Sequence, residues 1–137
     1  MKKLKTLALI LVFILCFQSV ACAASIQPRG AYLQGGDCSI SPGAGYVIVS
    51  GSTDAFDDVS TIKVTISILK EVSPGAFLAI WTDSVTNYND FEVTYTNTRV
   101  SVDPGYRYMV EAVHTVTHNG ITESNTSETD PVYVYYP

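Results

Sequence analysis

The sequence predicts an all-β protein, a single domain of seven antiparallel strands packed as a two-sheet sandwich. Three observations carry this. Beyond Ser25 no stretch shows the 3.6-residue apolar repeat of a helix, while β-branched residues, tyrosine and turn clusters abound. Ile62-Lys63-Val64-Thr65-Ile66-Ser67-Ile68 alternates strictly and puts four β-branched residues on one face, the pattern of a strand half buried against a core. Turn formers punctuate the chain at Ser41-Pro42-Gly43, Ser73-Pro74-Gly75, Asp103-Pro104-Gly105 and Asn119-Gly120. In these, Pro presets φ at about −65° and Gly accepts positive φ.

Taken in order, the expected strands span residues 30–33, 45–52, 60–70, 77–83, 91–100, 106–117 and 130–136. The second is apolar on both faces (Tyr46 and Ile48 against Val47 and Val49), and Phe91-Glu92-Val93-Thr94-Tyr95 alternates with its odd positions inward. Asn119-Gly120 between two β-like segments is a hairpin signal. Seven short strands, frequent turns and no helix point to two packed sheets.

Ahead of this domain, residues 1–24 form an expected secretory signal peptide, with the β-sandwich domain occupying 25–137. Lys2, Lys3 and Lys5 make a basic head, an apolar run extends from Leu7 to Phe17, and the small residues Ala21, Ala23 and Ala24 follow. The run is shorter than the roughly 20 residues of a bilayer span. Cleavage after Ala23 or Ala24 implies a secreted, extracellular protein. The alternative is lipid anchoring at the cell surface. Ser19-Val20-Ala21-Cys22 is similar to a bacterial lipoprotein exit, in which Cys22 is lipidated, and only then is a membrane a partner.

Cleavage removes three of the eight basic residues and none of the thirteen acidic ones, taking the net charge from −5 to −8. Such a surface argues against nucleic acid and anionic membranes, which favour Lys/Arg clusters. Of Cys16, Cys22 and Cys38, only Cys38 lies beyond the leader and its exit. No internal disulfide is then available, and stability has to come from a packed core. Cys38 reads as a small buried apolar residue, with an intermolecular disulfide or reactive thiol as the sharper alternative.

The run from Val102 to Val113 (Val-Asp-Pro-Gly-Tyr-Arg-Tyr-Met-Val-Glu-Ala-Val) resembles the penultimate strand of fibronectin type III modules, of the immunoglobulin-like sandwich class. There an apolar-x-Pro-Gly turn precedes a Tyr and then alternating apolar residues. The resemblance implies an Ig-like, fibronectin-III-like sandwich with Tyr108 as its tyrosine corner, ring in the core and hydroxyl on nearby backbone. Val110 and Ala112 would face inward with it. By the same resemblance, Glu123-Ser124-Asn125-Thr126-Ser127-Glu128 is the Ser-rich lead-in to the final strand. As a whole, the chain is similar to small exported proteins of Gram-positive bacteria built as a signal peptide and one β domain.

Chemistry is sparse. No Gly-x-Ser-x-Gly elbow is present, so no catalytic residues, cofactor or metal are assigned and an enzyme is not expected. His114 and His118 share a strand face roughly 13 Å apart, too far to ligate one metal together. They read as polar residues near the open end of a long strand. Asp54, Asp57 and Asp58 cluster in a connection and could begin a Ca²⁺ site, though without EF-hand spacing a solvated loop is the default.

Two features suggest an interaction surface. All nine Tyr follow the leader, and rings outside the core could line a glycan or peptide site. Tyr133 and Tyr135 share one face of the last strand. The strand from Ala76 to Trp81 is apolar at every position, so both of its faces should be covered. Phe77, Leu78, Ile80 and Trp81 then become candidates for self-association or for a partner strand added at an edge. Left uncovered, they would be an aggregation hazard. The expectation is a non-enzymatic binding module for an extracellular protein or glycan, with a structural or protective envelope or matrix role as the alternative.

Overall fold

The computed structural model describes residues 30–137. The expected leader, with Cys16 and Cys22, lies outside the described residues. The described residues form six antiparallel strands, β1 (Leu33–Gly43), β2 (Tyr46–Ser73), β3 (Ala76–Ser101), β4 (Arg107–His118), β5 (Ile121–Glu128) and β6 (Val132–Tyr133). They make one continuous sheet in which β2 pairs β1, β3 and β4, while β4 pairs β5 and β6. Among the described residues no helix is long and apolar enough to cross a membrane.

Two strands are far longer than the usual 3–10 residues. β2 has 28 residues and β3 has 26. Each changes partner midway. Residues 46–54 of β2 pair with β1 and with residues 92–101 of β3. Residues 59–73 of β2 pair with residues 76–90 of β3, and residues 61–70 also pair with β4. Between these arms the register shifts from Asp54↔Glu92 to Val59↔Asp90. Four residues of β2 there oppose one of β3, a bulge that bends the strand.

The bend is visible in side-chain parity. Val47, Val49, Thr53 and Ala55 are buried on odd positions, Phe56, Asp57 and Asp58 are exposed, and burial resumes at Val59 before settling on the even positions Ile62, Val64, Ile66 and Ile68. On β3 the matching corner is built from polar side chains. Asn89 takes φ 52°, a left-handed conformation that Asn tolerates better than most residues. Asp90 Oδ1 accepts from the N–H of Phe91 at 2.8 Å, and the Asn87 amide donates to Asp90 Oδ2 and to the Glu92 carbonyl.

The sheet therefore curls over its own inner face. One core gathers Val47 and Val49 from the first arm of β2, Ile62 to Ile68 from the second, Val93 and Tyr95 from β3, and Tyr108, Val110, Ala112 and Val116 from β4. Tyr95 ties the two arms of β3 together. Its hydroxyl donates to Asp83 Oδ2 at 2.8 Å, and its ring meets Trp81 edge-on. That hydroxyl, with the Ser84 N–H, holds the Asp83 carboxyl below its ordinary range.

At the turn before β4, Tyr108 is fully buried and its hydroxyl donates to the Asp103 carbonyl at 2.7 Å. Gly105 takes φ +87° to complete the turn. β1 and β5 end the pairing order, yet they lie against each other. Glu123 of β5 holds this seam by accepting the backbone N–H groups of Ala31, Tyr32 and Leu33 at 2.6–3.0 Å. Those donors favour the carboxylate and hold its pKa below the ordinary 4.5.

The strand list differs from the expected seven. Residues 45–52 and 60–70 belong to one strand, as do 77–83 and 91–100, because bulge and corner keep the backbone paired through the bend. The first strand starts at Leu33 and ends at Gly43, so the Ser41-Pro42-Gly43 signal lies at its end. Residues 121–128 form β5 and not a lead-in, since the Asn119-Gly120 turn, with φ of 50° and 76°, returns the chain along β4. Only Val132–Tyr133 of the expected last strand pairs.

Tyr108→Phe removes one buried hydrogen bond and should cost about 1–2 kcal/mol of stability, read as a lower urea midpoint with an unchanged m value. Glu123→Gln should lower the thermal midpoint at neutral pH. Because the folded carboxyl has the lower pKa, its contribution is present above the ordinary 4.5 and lost as the pH falls below it. Melting curves of wild type and variant should therefore converge in acid.

Candidate functional site

The exposed aromatic side chains fall into two groups, Phe56, Tyr88 and Phe91 near the bend, and Tyr106, Tyr133, Tyr135 and Tyr136 at the end of the sheet where β2 turns into β3 and β4 begins. The register fixes which of them share a face. Arg107 pairs with Tyr133, Tyr108 with Lys70, and Glu71 with Phe77. Tyr108 points into the core. By strand alternation its neighbours Arg107 and Glu71 then face outward, in one cross-strand row with Tyr133 and Phe77. The Arg107 guanidinium lies 3.9 Å from Glu71 Oε1, an ion pair longer than a hydrogen bond. An open groove of about 410 Å³ is lined by Glu71, Val72, Ser73, Pro74, Tyr106 and Arg107.

The C-terminal segment is locked to this end by main-chain bonds. Val134 is fully buried. Its N–H donates to the Tyr106 carbonyl at 3.0 Å, and its carbonyl accepts from Gly105 N–H at 2.8 Å. The Tyr135 carbonyl accepts from Gly45 N–H at 3.1 Å. Val134 thus acts as a peg, with Tyr133 and Tyr135 turned outward beside it. Their rings meet at 4.9 Å and 71°, while staying 42% and 66% exposed. The Tyr136 ring crosses Gly105 so closely that a Cβ there would collide with it. On the other side of Arg107, Lys70 Nζ sits 3.6 Å from the centroid of the Tyr106 ring and donates to Asp103 at 2.9 Å.

The sequence candidates on β3 divide between the two faces. Phe77 lies in the outer row, whereas Trp81 pairs with the buried Ile68 and packs on the core. Trp81 therefore does not join Tyr133 and Tyr135. The first arm of β3 pairs only with β2, so among the described residues its other edge is free. Leu78 and Ile80 are 59% and 45% exposed there, so the described residues do not cover both faces of 76–81. Two devices blunt this edge. The register slips by one residue at Ile80, a β-bulge, and Asp83 points a carboxylate to the inner side.

His114 is not a polar residue at an open strand end. It is fully buried, with Nδ1 2.9 Å from Thr53 Oγ1 and Nε2 2.8 Å from Ser127 Oγ. Thr53 donates to the Lys63 carbonyl at 3.2 Å. The network then assigns the imidazole proton to Nδ1 and leaves Nε2 to accept from Ser127. A Ser–His contact of this kind suits nucleophile activation, but this imidazole is sealed from solvent and both its nitrogens are taken. It works as a strut joining both arms of β2 to β4 and β5. Gly36 on β1 completes the seat, because a Cβ there would overlap the ring.

Cys38 is a free, half-buried thiol whose Sγ lies 3.9 Å from the Val110 carbonyl, and burial pushes its pKa up. His118 accepts from Ser60 N–H at 3.2 Å and meets Tyr32 edge-on at 5.0 Å. Asp57 and Asp58 sit exposed on the outside of the bend. Asp54 is partly buried, and desolvation, with Glu92 and Asp37 nearby, raises its pKa. Among the described residues no three His, Cys, Asp or Glu side chains are gathered as a metal would need.

Sequence reading missed Glu71, Pro74, Tyr106 and Arg107. Arg107 was accessible in principle: if Tyr108 points inward, its neighbour points outward. Its pairing with Tyr133 depends on a return of the chain across some 25 residues, which carries no local signal.

No protein-family model matches the chain, and no curated protein matches it. Among solved structures, the chain is similar to β-glucuronidase of Parabacteroides merdae, determined with glycerol in its active site, at 12% identity and a TM-score of 0.45. That match covers 70% of this chain and 13% of the glucuronidase. CsgH of R. palustris is similar at 16% identity and a TM-score of 0.38, covering 67% of this chain and 88% of CsgH. Neither likeness is close enough to bear on function. The structure itself defines an all-β domain with one curled antiparallel sheet and an aromatic, charged groove at one end.

Burial holds the folded His114 pKa below 6.5, against the opposing pull of Asp37, the Ser52 carbonyl and Asp54. An unfolded chain takes up that proton near the ordinary value, so the stabilisation is complete above 6.5 and lost as the pH falls below it. Urea midpoints of wild type should decline as the pH is lowered from 7 towards 5.5, and His114→Gln should flatten that decline.

Proposed function

We propose that the chain is an exported, non-enzymatic binding module that engages an extracellular protein or glycan through its aromatic end. Counted by arms, β2 and β3 each supply two strands. β1, the first arm of β2 and the second arm of β3 then make one layer. The first arm of β3, the second arm of β2, β4 and β5 make the other. With the two-residue β6, which pairs β4, left aside, seven strands remain, the number of an immunoglobulin-like sandwich of the fibronectin type III kind, with Tyr108 at its tyrosine corner. The basic, apolar, small-residue leader supports export, by secretion or through a lipidated Cys22.

One observation carries the binding reading. Tyr133 and Tyr135 are exposed while the backbone beneath them is fixed by hydrogen bonds to Gly45, Gly105 and Tyr106. Aromatic rings held this way offer contact area without a large ordering cost on binding. A groove with one carboxylate and one guanidinium lies beside them. The alternative, an envelope or matrix component without a discrete ligand, would draw on self-association along the free β3 edge. The bulge at Ile80 and the inward Asp83 work against continuous strand addition there, so the binding module is preferred.

The test is saturable binding of the purified protein to cell-wall and extracellular-matrix preparations. Wild type should saturate. Tyr133→Ala combined with Tyr135→Ala should weaken binding by about tenfold or more, in the range of lost aromatic anchors, with the melting temperature retained. Binding that fails to saturate, or that ignores both tyrosines, would overturn the proposal.

A further inference from the structure

The geometry points to an uncharged saccharide chain as the ligand of the aromatic end, an inference that rests on the binding-module reading above. Three features select that chemistry. First, the groove is open, lined by polar and charged side chains as well as Val72, Pro74 and Tyr106. A protein partner ordinarily needs about 800 Å² from each side around a desolvated apolar centre. A sugar ring needs only one apolar face and a few directional polar groups. Second, the Tyr133 and Tyr135 rings stand at 71° and form a corner. One ring face can take the C–H face of a pyranose while the edge of the other closes its side.

Third, the polar groups next to this corner are of both kinds. Glu71 brings a carboxylate acceptor, although its Oε1 already takes the Gly75 N–H at 2.9 Å. Arg107, directly across from Tyr133, brings guanidinium donors that are not spent on the 3.9 Å contact to Glu71. Sugar hydroxyls both donate and accept, and such a mixed pair suits them. A polyanionic chain would instead meet the Glu71 carboxylate at the site and an acidic protein overall, with thirteen acidic against eight basic residues.

Affinity electrophoresis through gels containing β-glucan, xyloglucan or xylan, with sedimentation on cellulose and chitin, tests this. Heparin and polygalacturonate serve as the anionic arms. Wild type should be retained by at least one neutral polysaccharide, with retention unaffected by added salt. Tyr133→Ala with Tyr135→Ala should weaken it about tenfold or more, and Arg107→Met should weaken it as well. Ile80→Lys, on the free β3 edge, should not. Circular dichroism of each variant establishes that it is folded.

Retention by no neutral polysaccharide overturns the inference, as does retention that ignores the tyrosine pair or occurs only with the anionic polymers. Saturable, tyrosine-dependent binding to a protease-sensitive component, without polysaccharide retention, removes the saccharide and leaves the binding module standing. Failure of both experiments removes both.

Discussion

The bend shared by β2 and β3 is the constraint on which the rest of the molecule depends. A straight 28-residue strand with one apolar face would present that face to solvent along its whole length. The extra residues between Asp54 and Val59 move the buried positions from odd to even numbers. The apolar faces of the two arms then turn towards each other. On β3, Asn89 accepts the positive φ and Asp90 caps the following N–H groups, so the partner strand turns at the same place. The exposed Asp57 and Asp58 suit the outside of this corner, where charge is solvated at little cost.

Curling leaves a seam where β1 meets β5 without a ladder. Polar side chains close it. Glu123 satisfies three backbone N–H groups at one end. Further along, His114 reaches Ser127 on β5 and Thr53 on β2 over the glycine at position 36. A buried imidazole carries a desolvation penalty, and this one offsets it by having both nitrogens partnered. Among the described residues no buried side-chain nitrogen or oxygen lacks a partner. The one thiol of this region, Cys38, is free, so among the described residues polar ties and the packed core hold the seam without a disulfide.

The aromatic end inherits its rigidity from the same architecture. The turn that buries Tyr108 also presents Gly105 N–H and the Tyr106 carbonyl to Val134, so the corner that closes the core also holds the C-terminal tyrosines. A domain whose stability and surface share one set of backbone bonds presents its exposed rings in a fixed geometry. In the proposed binding role, such preorganisation would reduce the entropy lost on association.

By itself the sequence determined the all-β class, since alternation at Ile62 to Ile68 and the Pro-Gly and Asn-Gly turns are local properties of the backbone. It also indicated which residues of β4 face inward, because Tyr108, Val110 and Ala112 follow a period of two. Tertiary structure alone decided the rest. Whether 45–52 and 60–70 are two strands or one depends on pairing through the bend, and β5 is a strand only because β4 offers it a ladder. His114 is sealed by β1 and β5, and its neighbours in sequence say nothing about them. Tyr133 and Arg107 become one surface through the register between β4 and β6. Period and turn chemistry are written within a few residues, whereas register, seam and site arise from contacts between residues far apart in the chain.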